Sequence, residues 1–407
     1  MLDDNLKNLD IEQAVENNPE NIRSNRRSII LIYICTFFYW MAMYLYVPIL
    51  PVYAESLGAS LTVVGVIVAA YAIPQLLVRI PLGILADILG RQKPLILAGC
   101  IILMIGSWGL ALSPAPLYLG ICRGLVGVGA AIWVVFPVFL MSLYPQEKAG
   151  QALSILNFIV GVATLTATLL GGMIADILGE KMAFYTAVCL AMAAFISIFF
   201  TKEQNISCKG TLSWQTVKQV SQNPLLIIVS IMGALLFFAE FSSVWGFVPI
   251  YAAALGASGT QLGIITMLST LGGMVGSLIS AVIMRRQGAV WTVIIASGLL
   301  GVSLLAVPWI HDLDILSGVL LVHGLGYGIL YTPLMALSMQ NIAAGQRSTA
   351  MGLFQAIYAI GMLSGPLISG LLSDHFSLAV VFYVGGLACL AIIGMAYLPV
   401  ITRLKKQ

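Results

Sequence analysis

Along this chain, apolar stretches long enough to cross a bilayer as helices, about 20 residues each, alternate with short polar turns. Twelve such stretches occur, at 29–51, 61–84, 94–112, 116–140, 150–172, 182–200, 224–251, 261–283, 290–309, 315–338, 348–372 and 377–400. The pattern predicts an all-α integral membrane protein of twelve transmembrane helices. The longest polar interval between them, 201–223, contains Lys202, Lys209 and Lys218 and divides the helices six and six. The expected organisation is a tail at 1–28, a six-helix bundle at 29–200, a central loop at 201–223, a second bundle at 224–400 and a tail at 401–407.

The two halves repeat. Residues 51–60 read PVYAESLGAS and residues 249–258 read PIYAAALGAS, an offset of 198. The same offset pairs Gly65 with Gly263, Asn157 with Gln355, and GGMIAD ending at Asp176 with SGLLSD ending at Asp374. Two similar bundles related by a pseudo-twofold axis can rock about a central site near the bilayer midplane.

Charge adds orientation. Only 9% of residues are charged, against about 25% in an average soluble chain, while 60% are hydrophobic and the mean hydropathy is +1.01. The net charge of +3 says little, but its distribution says much. With both termini inside, the inner segments hold Arg23, Arg26, Arg27, Arg91, Lys93, Lys148, Lys202, Arg285, Arg286 and Arg347. The outer turns hold Lys181 with Glu55, Asp176, Glu180, Asp312, Asp314 and Asp374. This positive-inside pattern predicts cytoplasmic termini and residence in the cell membrane. The first 28 residues lack the apolar run of a signal peptide. Five of the six cysteines fall in apolar stretches, and no pair has metal-ligand spacing.

After the second stretch the chain reads Gly83-Ile-Leu-Ala-Asp87-Ile-Leu-Gly90-Arg91-Gln-Lys93. Gly83 permits close helix contact, Asp87 can accept from an adjacent helix N-terminus, and Gly90 suits a helix C-terminal turn. Arg91 and Lys93 keep the positive-inside bias. These residues resemble the signature between the second and third helices of the major facilitator superfamily, G-x-L-A-D-x-x-G-R-x-K. The resemblance covers about 28–400 and implies that superfamily's fold. It implies for Asp87 and Arg91 a cytoplasmic latch that bridges the halves in the outward-facing state, with Asp87 near Arg347–Thr349. Arg123-Gly-Leu-Val-Gly127-Val-Gly129-Ala130-Ala131 is similar to the fourth-helix motif of the drug/proton antiporter branch, with Val126 where that motif usually has Gln. The fifth-helix antiporter motif, G-x-x-x-G-P-x-x-G-G, survives only as Gly171-Gly172, while the eleventh stretch carries Gly361-x-x-x-Gly365-Pro366. Gly127, Gly171, Gly172, Gly361 and Gly365 are read as helix-packing positions.

Ionisable residues inside the stretches are Arg79, Arg123, Glu240 and His323. A charge at mid-membrane costs about 2.5–3.5 kcal/mol on insertion scales, so such residues face a cavity or a partner. Glu240 is expected to load and release a proton, with Arg123 and His323 binding anionic groups or tuning it. The alternative is a structural pair between neighbouring helices. Arg79, near the basic end of its stretch, is expected to snorkel to the surface. Trp40, Tyr44, Phe237, Trp245, Tyr327, Tyr331 and Gln355 are the candidate cavity lining, and aromatic walls suit amphipathic organic molecules. No phosphate-binding loop is present, so the expected drive is an ion gradient or the substrate's own gradient, and a mid-membrane carboxylate suits a proton. No enzymatic activity, metal or cofactor is expected. The expected partners are a small-molecule substrate, protons and the lipid bilayer, with no nucleic acid, and the chain is expected to act as a monomer. The resulting expectation is a proton-coupled exporter of amphipathic or hydrophobic molecules. The alternatives are an uptake permease or facilitator for a small metabolite, and a membrane receptor or scaffold that transports nothing.

Overall fold

A computed structural model describes residues 19–144, 148–203, 214–340, 342–343, 346–398 and 401. The principal helices are α1 Pro19–Tyr44, α2 Leu61–Ala70, α3 Arg79–Leu89, α4 Lys93–Leu112, α5 Pro116–Ala131 and α6 Ala149–Leu178. They continue as α7 Glu180–Phe199, α8 Pro224–Ser242, α9 Gly259–Ala306, α10 Leu313–Leu337, α11 Arg347–His375 and α12 Ala379–Ala396. Ten helical segments among the described residues are long and apolar enough to cross a membrane, and Leu61–Leu77 is a shorter apolar helix. Helix α1 begins at Pro19, inside the stretch expected to be a tail. Part of the expected central loop, Trp214–Ser221, is also helical, and Gln346 Nε2 donates to Gln219 Oε1 at 3.0 Å.

Proline sets where the rods break, because its ring displaces the carbonyl four residues back and it offers no N–H. The stretch expected as one helix at 61–84 is interrupted at Tyr71 and Val78, each three residues before a proline, Pro74 and Pro81. Helix α1 ends at Tyr44, the residue whose carbonyl Pro48 excludes, and the chain resumes as Leu50–Ser56. In the second half α8 widens into a π-turn at Ser243–Phe247 before Val248–Ala254, which carries Pro249. Pro51 and Pro249 are repeat-equivalent, so both bundles carry a broken helix at the same depth.

Helix α9 contains a reversal. Gly276 packs against the backbone of Leu325, and Leu300 packs against Gly326. In a straight helix, residues 276 and 300 would lie about 36 Å apart at 1.5 Å per residue. They meet neighbouring residues because Gly288, at φ 78° and ψ 172°, turns the chain back on itself. That left-handed φ is one glycine adopts without strain.

Arg91, Lys93, Lys202 and Arg285 share one end of the bundle, here the basic face. Asp176, Asp312 and Asp374 share the other, the acidic face. At the acidic face the halves are joined twice by equivalent contacts. Asp176, at the end of α6, accepts from the N–H groups of Gly259 and Thr260 at 2.7 Å each, capping α9. Asp374, at the end of α11, accepts from Leu61 and Thr62 at 3.0 and 2.9 Å, capping α2. Beneath each cap the helices cross at glycine. Gly172 lies against Gly259 and Gly263, and Gly65 lies against Pro366 and Gly370, so closely that a Cβ would overlap backbone atoms.

Removing one helix cap costs about 0.5–2 kcal/mol, and effects at separate crossings add. Asp176→Ala combined with Asp374→Ala is therefore expected to loosen the acidic face. A cysteine placed at Ser269, in the interior, should react with an impermeant maleimide applied from that side at least about tenfold faster than in the capped protein. Unchanged labelling would mean the caps do not hold the face shut.

Candidate functional site

Between the halves lies a cavity of about 400 Å³. All seven aromatic and amide positions named above as candidate lining border it. The aromatic side chains form a continuous wall. Trp40 stacks on Tyr44 at 5.4 Å and meets Trp133 edge-on at 5.1 Å, and Tyr44 meets Trp245 at 5.3 Å across the two halves. On the other side Phe237 stacks on Tyr358 at 4.1 Å, and Tyr327 stacks on Tyr331 at 5.6 Å. The broken ends of α1 and α8 place Tyr44 and Trp245, so the same prolines that interrupt the rods position this wall.

Glu240, on α8, borders the cavity and is 5% exposed. His323, on α10, lies behind it, fully buried, with Nε2 3.0 Å from Glu240 Oε2. This bond contains one proton, donated either by the imidazole to the carboxylate or by the carboxyl to the imidazole. The imidazole Nδ1 is buried without a partner. The pair therefore holds a proton at the cavity wall, with the carboxyl on the cavity side.

Arg123, expected to share in tuning Glu240, is elsewhere. It is buried against the ring of Tyr71, 4.3 Å from the centroid, and its Nη1 donates to Tyr46 Oη at 3.3 Å. It borders a small separate recess with Val47, Leu50 and Val68, and no ion pair joins it to Glu240. The ring of Tyr71 takes the cation instead, which a desolvated guanidinium finds favourable.

Arg79 does not snorkel to the surface. It borders the cavity, where Nη2 donates to Gln75 Oε1 at 2.6 Å and Nη1 donates to Gln355 Oε1 at 2.9 Å. Gln355 belongs to the other half, so this contact crosses between bundles. Tyr71, Gln75, Arg79 and Tyr358 are cavity residues that the list of candidates omitted. The spacing of four through 71, 75 and 79 was a legible signal, since it puts them on one helical face.

At the basic face, Gly90 caps α3 with φ 59° and its N–H donates to the Ala86 carbonyl. A Cβ at Gly83 would meet open space, so the close helix contact expected there is absent in this conformation. Lys93 Nζ donates to the carbonyls of Phe199 and Thr201 at 2.8 and 2.6 Å, and Glu203 accepts from the N–H groups of Gln92 and Lys93. These contacts tie α4 to α7 within one half. Arg91 is exposed, and the Asp87 side chain lies outside the described residues. Among the packing glycines, Gly127 lies against Tyr71, Gly171 against Leu45, Gly361 against Ala234 and Gly365 against Phe238. In each case a side chain would overlap the facing backbone.

Two repeated helical halves around a central, largely aromatic cavity are the architecture of a membrane carrier. The profile of the Major Facilitator Superfamily matches residues 32–244 and 231–407, and the chain belongs to that family. It is 26% identical over 358 residues to the multi-drug resistance efflux pump PmrA of Streptococcus pneumoniae, covering 85% of this chain and 89% of that protein. It is 24% identical over 379 residues to the inner membrane transport protein YajR of Escherichia coli, covering 90% and 80%. The crystal structure of the nucleoside transporter NupG superposes with a TM-score of 0.75 at 14% identity, covering 92% of this chain and all of that one. That likeness establishes the fold.

Breaking a buried pair by removing one partner costs about 3–5 kcal/mol. His323→Ala should therefore lower the thermal unfolding temperature in detergent, and adding Glu240→Gln should restore part of the loss. Strictly additive losses in the double variant would mean that the two side chains do not interact.

Proposed function

We propose that this transporter is a proton-coupled exporter of amphipathic small molecules, working by alternating access. The observation that carries the reading is the Glu240–His323 pair, a shared proton held in the wall of the central cavity. The aromatic wall and the similarity to an efflux pump support it. In this reading the basic face is cytoplasmic, as the charge asymmetry favours, and both termini lie inside. Splitting Gly259–Trp309 at Gly288 and counting the broken rod from Leu61 gives twelve crossings. The caps at the acidic face then close the outer side in this conformation.

Substrate enters from the cytoplasm and displaces water from the aromatic wall. Glu240 releases its proton to the cytoplasm, and the outward-facing cavity reloads it. An inward-directed proton gradient thereby biases the cycle toward export, one charge across 100 mV contributing about 2.3 kcal/mol. Gln75, Asn157 and Gln355 in the same wall favour a second reading, uptake of a small polar metabolite. The direction of flux in inverted vesicles separates the two.

Glu240→Gln keeps the shape of the side chain and removes the titrating group. Proteoliposomes carrying this variant should lose gradient-driven accumulation while retaining substrate exchange in the absence of a gradient. Proton-driven transport at the normal rate would instead make Glu240 a structural partner of His323.

A further inference from the structure

The ionisable groups around the cavity do not balance. Arg79 borders it directly, and Arg123 lies one ring away behind Tyr71. Against these two guanidinium groups the described residues offer one carboxylate, Glu240, and that is already engaged by His323. Asp87 lies eight residues beyond Arg79 on α3, about 12 Å away at 1.5 Å per residue. The cavity region therefore carries a net positive charge, and more so whenever His323 is protonated. An uncompensated charge at this depth is costly, and a chain retains such a group where something else neutralises it.

The neutral hydrogen-bonding groups lean the same way. Arg79 is held by two amide oxygens, Gln75 Oε1 and Gln355 Oε1, which leaves its positive charge in place. Its Nε is buried without a partner. So is Nε1 of Trp40, another residue of the wall. Among the described lining residues, both orphaned side-chain atoms are N–H donors, and neither can accept. A cavity with surplus cation and surplus donors is complementary to a ligand with surplus negative charge and acceptors. The aromatic rings beside them are complementary to an apolar, flat body.

We infer that the molecule carried by this cavity is an amphipathic organic anion, whose carboxylate or comparable oxyanion docks on Arg79. The inference deepens the proposed function by naming the substrate class, and it rests on the reading of this cavity as the transport site. The anion draws Nη1 of Arg79 away from Gln355, the one polar side-chain bond described here that joins the halves at the cavity wall. Substrate binding therefore loosens one inter-half contact on the basic side of the site.

The test uses equilibrium binding to the purified full-length protein, which requires neither proton coupling nor a direction of transport. Three probes share one fluorophore: dansylglycine is anionic, dansylamide neutral and dansylcadaverine cationic. Dansylglycine should bind at least about tenfold tighter than either of the others, as expected for a charge-assisted contact. Arg79→Gln should bring the anion to within about threefold of the neutral probe, while Arg79→Lys, which keeps the charge, retains the preference. Tighter binding of the cation, equal affinity for all three, absence of anion binding, or an anion preference that survives Arg79→Gln overturns the inference. Loss of proton coupling is read separately, in the Glu240→Gln flux assay, so either idea can fail without the other.

Discussion

The first turn of a helix presents N–H groups with no partner inside the helix, and in a membrane protein those groups have to be met by something. Here the chain meets two of these ends with carboxylates from the opposite half: Asp176 on α9 and Asp374 on α2. The arrangement does three things together. It satisfies the backbone, it places negative charge at the positive end of a helix, and it fixes how the two bundles meet. The glycine crossings below bring the backbones close enough for the carboxylates to reach. With the acidic face held in this way, the remaining space between the bundles lies deeper, and that space is the cavity.

The cavity wall is set by where the rods break. Proline breaks in α1, α8 and the rod from Leu61 turn aromatic rings into the gap. The few ionisable groups then sort by partner. Glu240 takes His323, Arg123 takes the face of Tyr71, and Arg79 takes two amides.

Much of this was legible in the sequence. The 198-residue offset paired Asp176 with Asp374 and Gly65 with Gly263, and the structure uses both pairs at equivalent crossings. Hydropathy marked the helices because lipid demands a long apolar run. It did not mark their breaks, since prolines at 48, 74, 81 and 249 leave a hydropathy profile unchanged. Charge at mid-membrane singled out Glu240, His323 and Arg123, but pattern alone could not say which would pair. That depended on the relative rotation of α5, α8 and α10. Arg79 was placed near the surface by counting residues from the end of its stretch. Its contact with Gln355, 276 positions away in the chain, brings it to the cavity instead.

The central claim is that one cavity changes sides as the two halves rock about a central site, breaking and remaking the contacts at the acidic face. Distances between spin labels on opposite halves test this most directly, with the native cysteines replaced. One pair, at Ser56 and Ser377, reports on the acidic face, and the other, at Gln151 and Gln287, reports on the basic face; all four positions are exposed. On adding an amphipathic substrate, the acidic-face distance should lengthen as the basic-face distance shortens. Two distances that stay fixed, or that lengthen or shorten together, would contradict alternating access about this site.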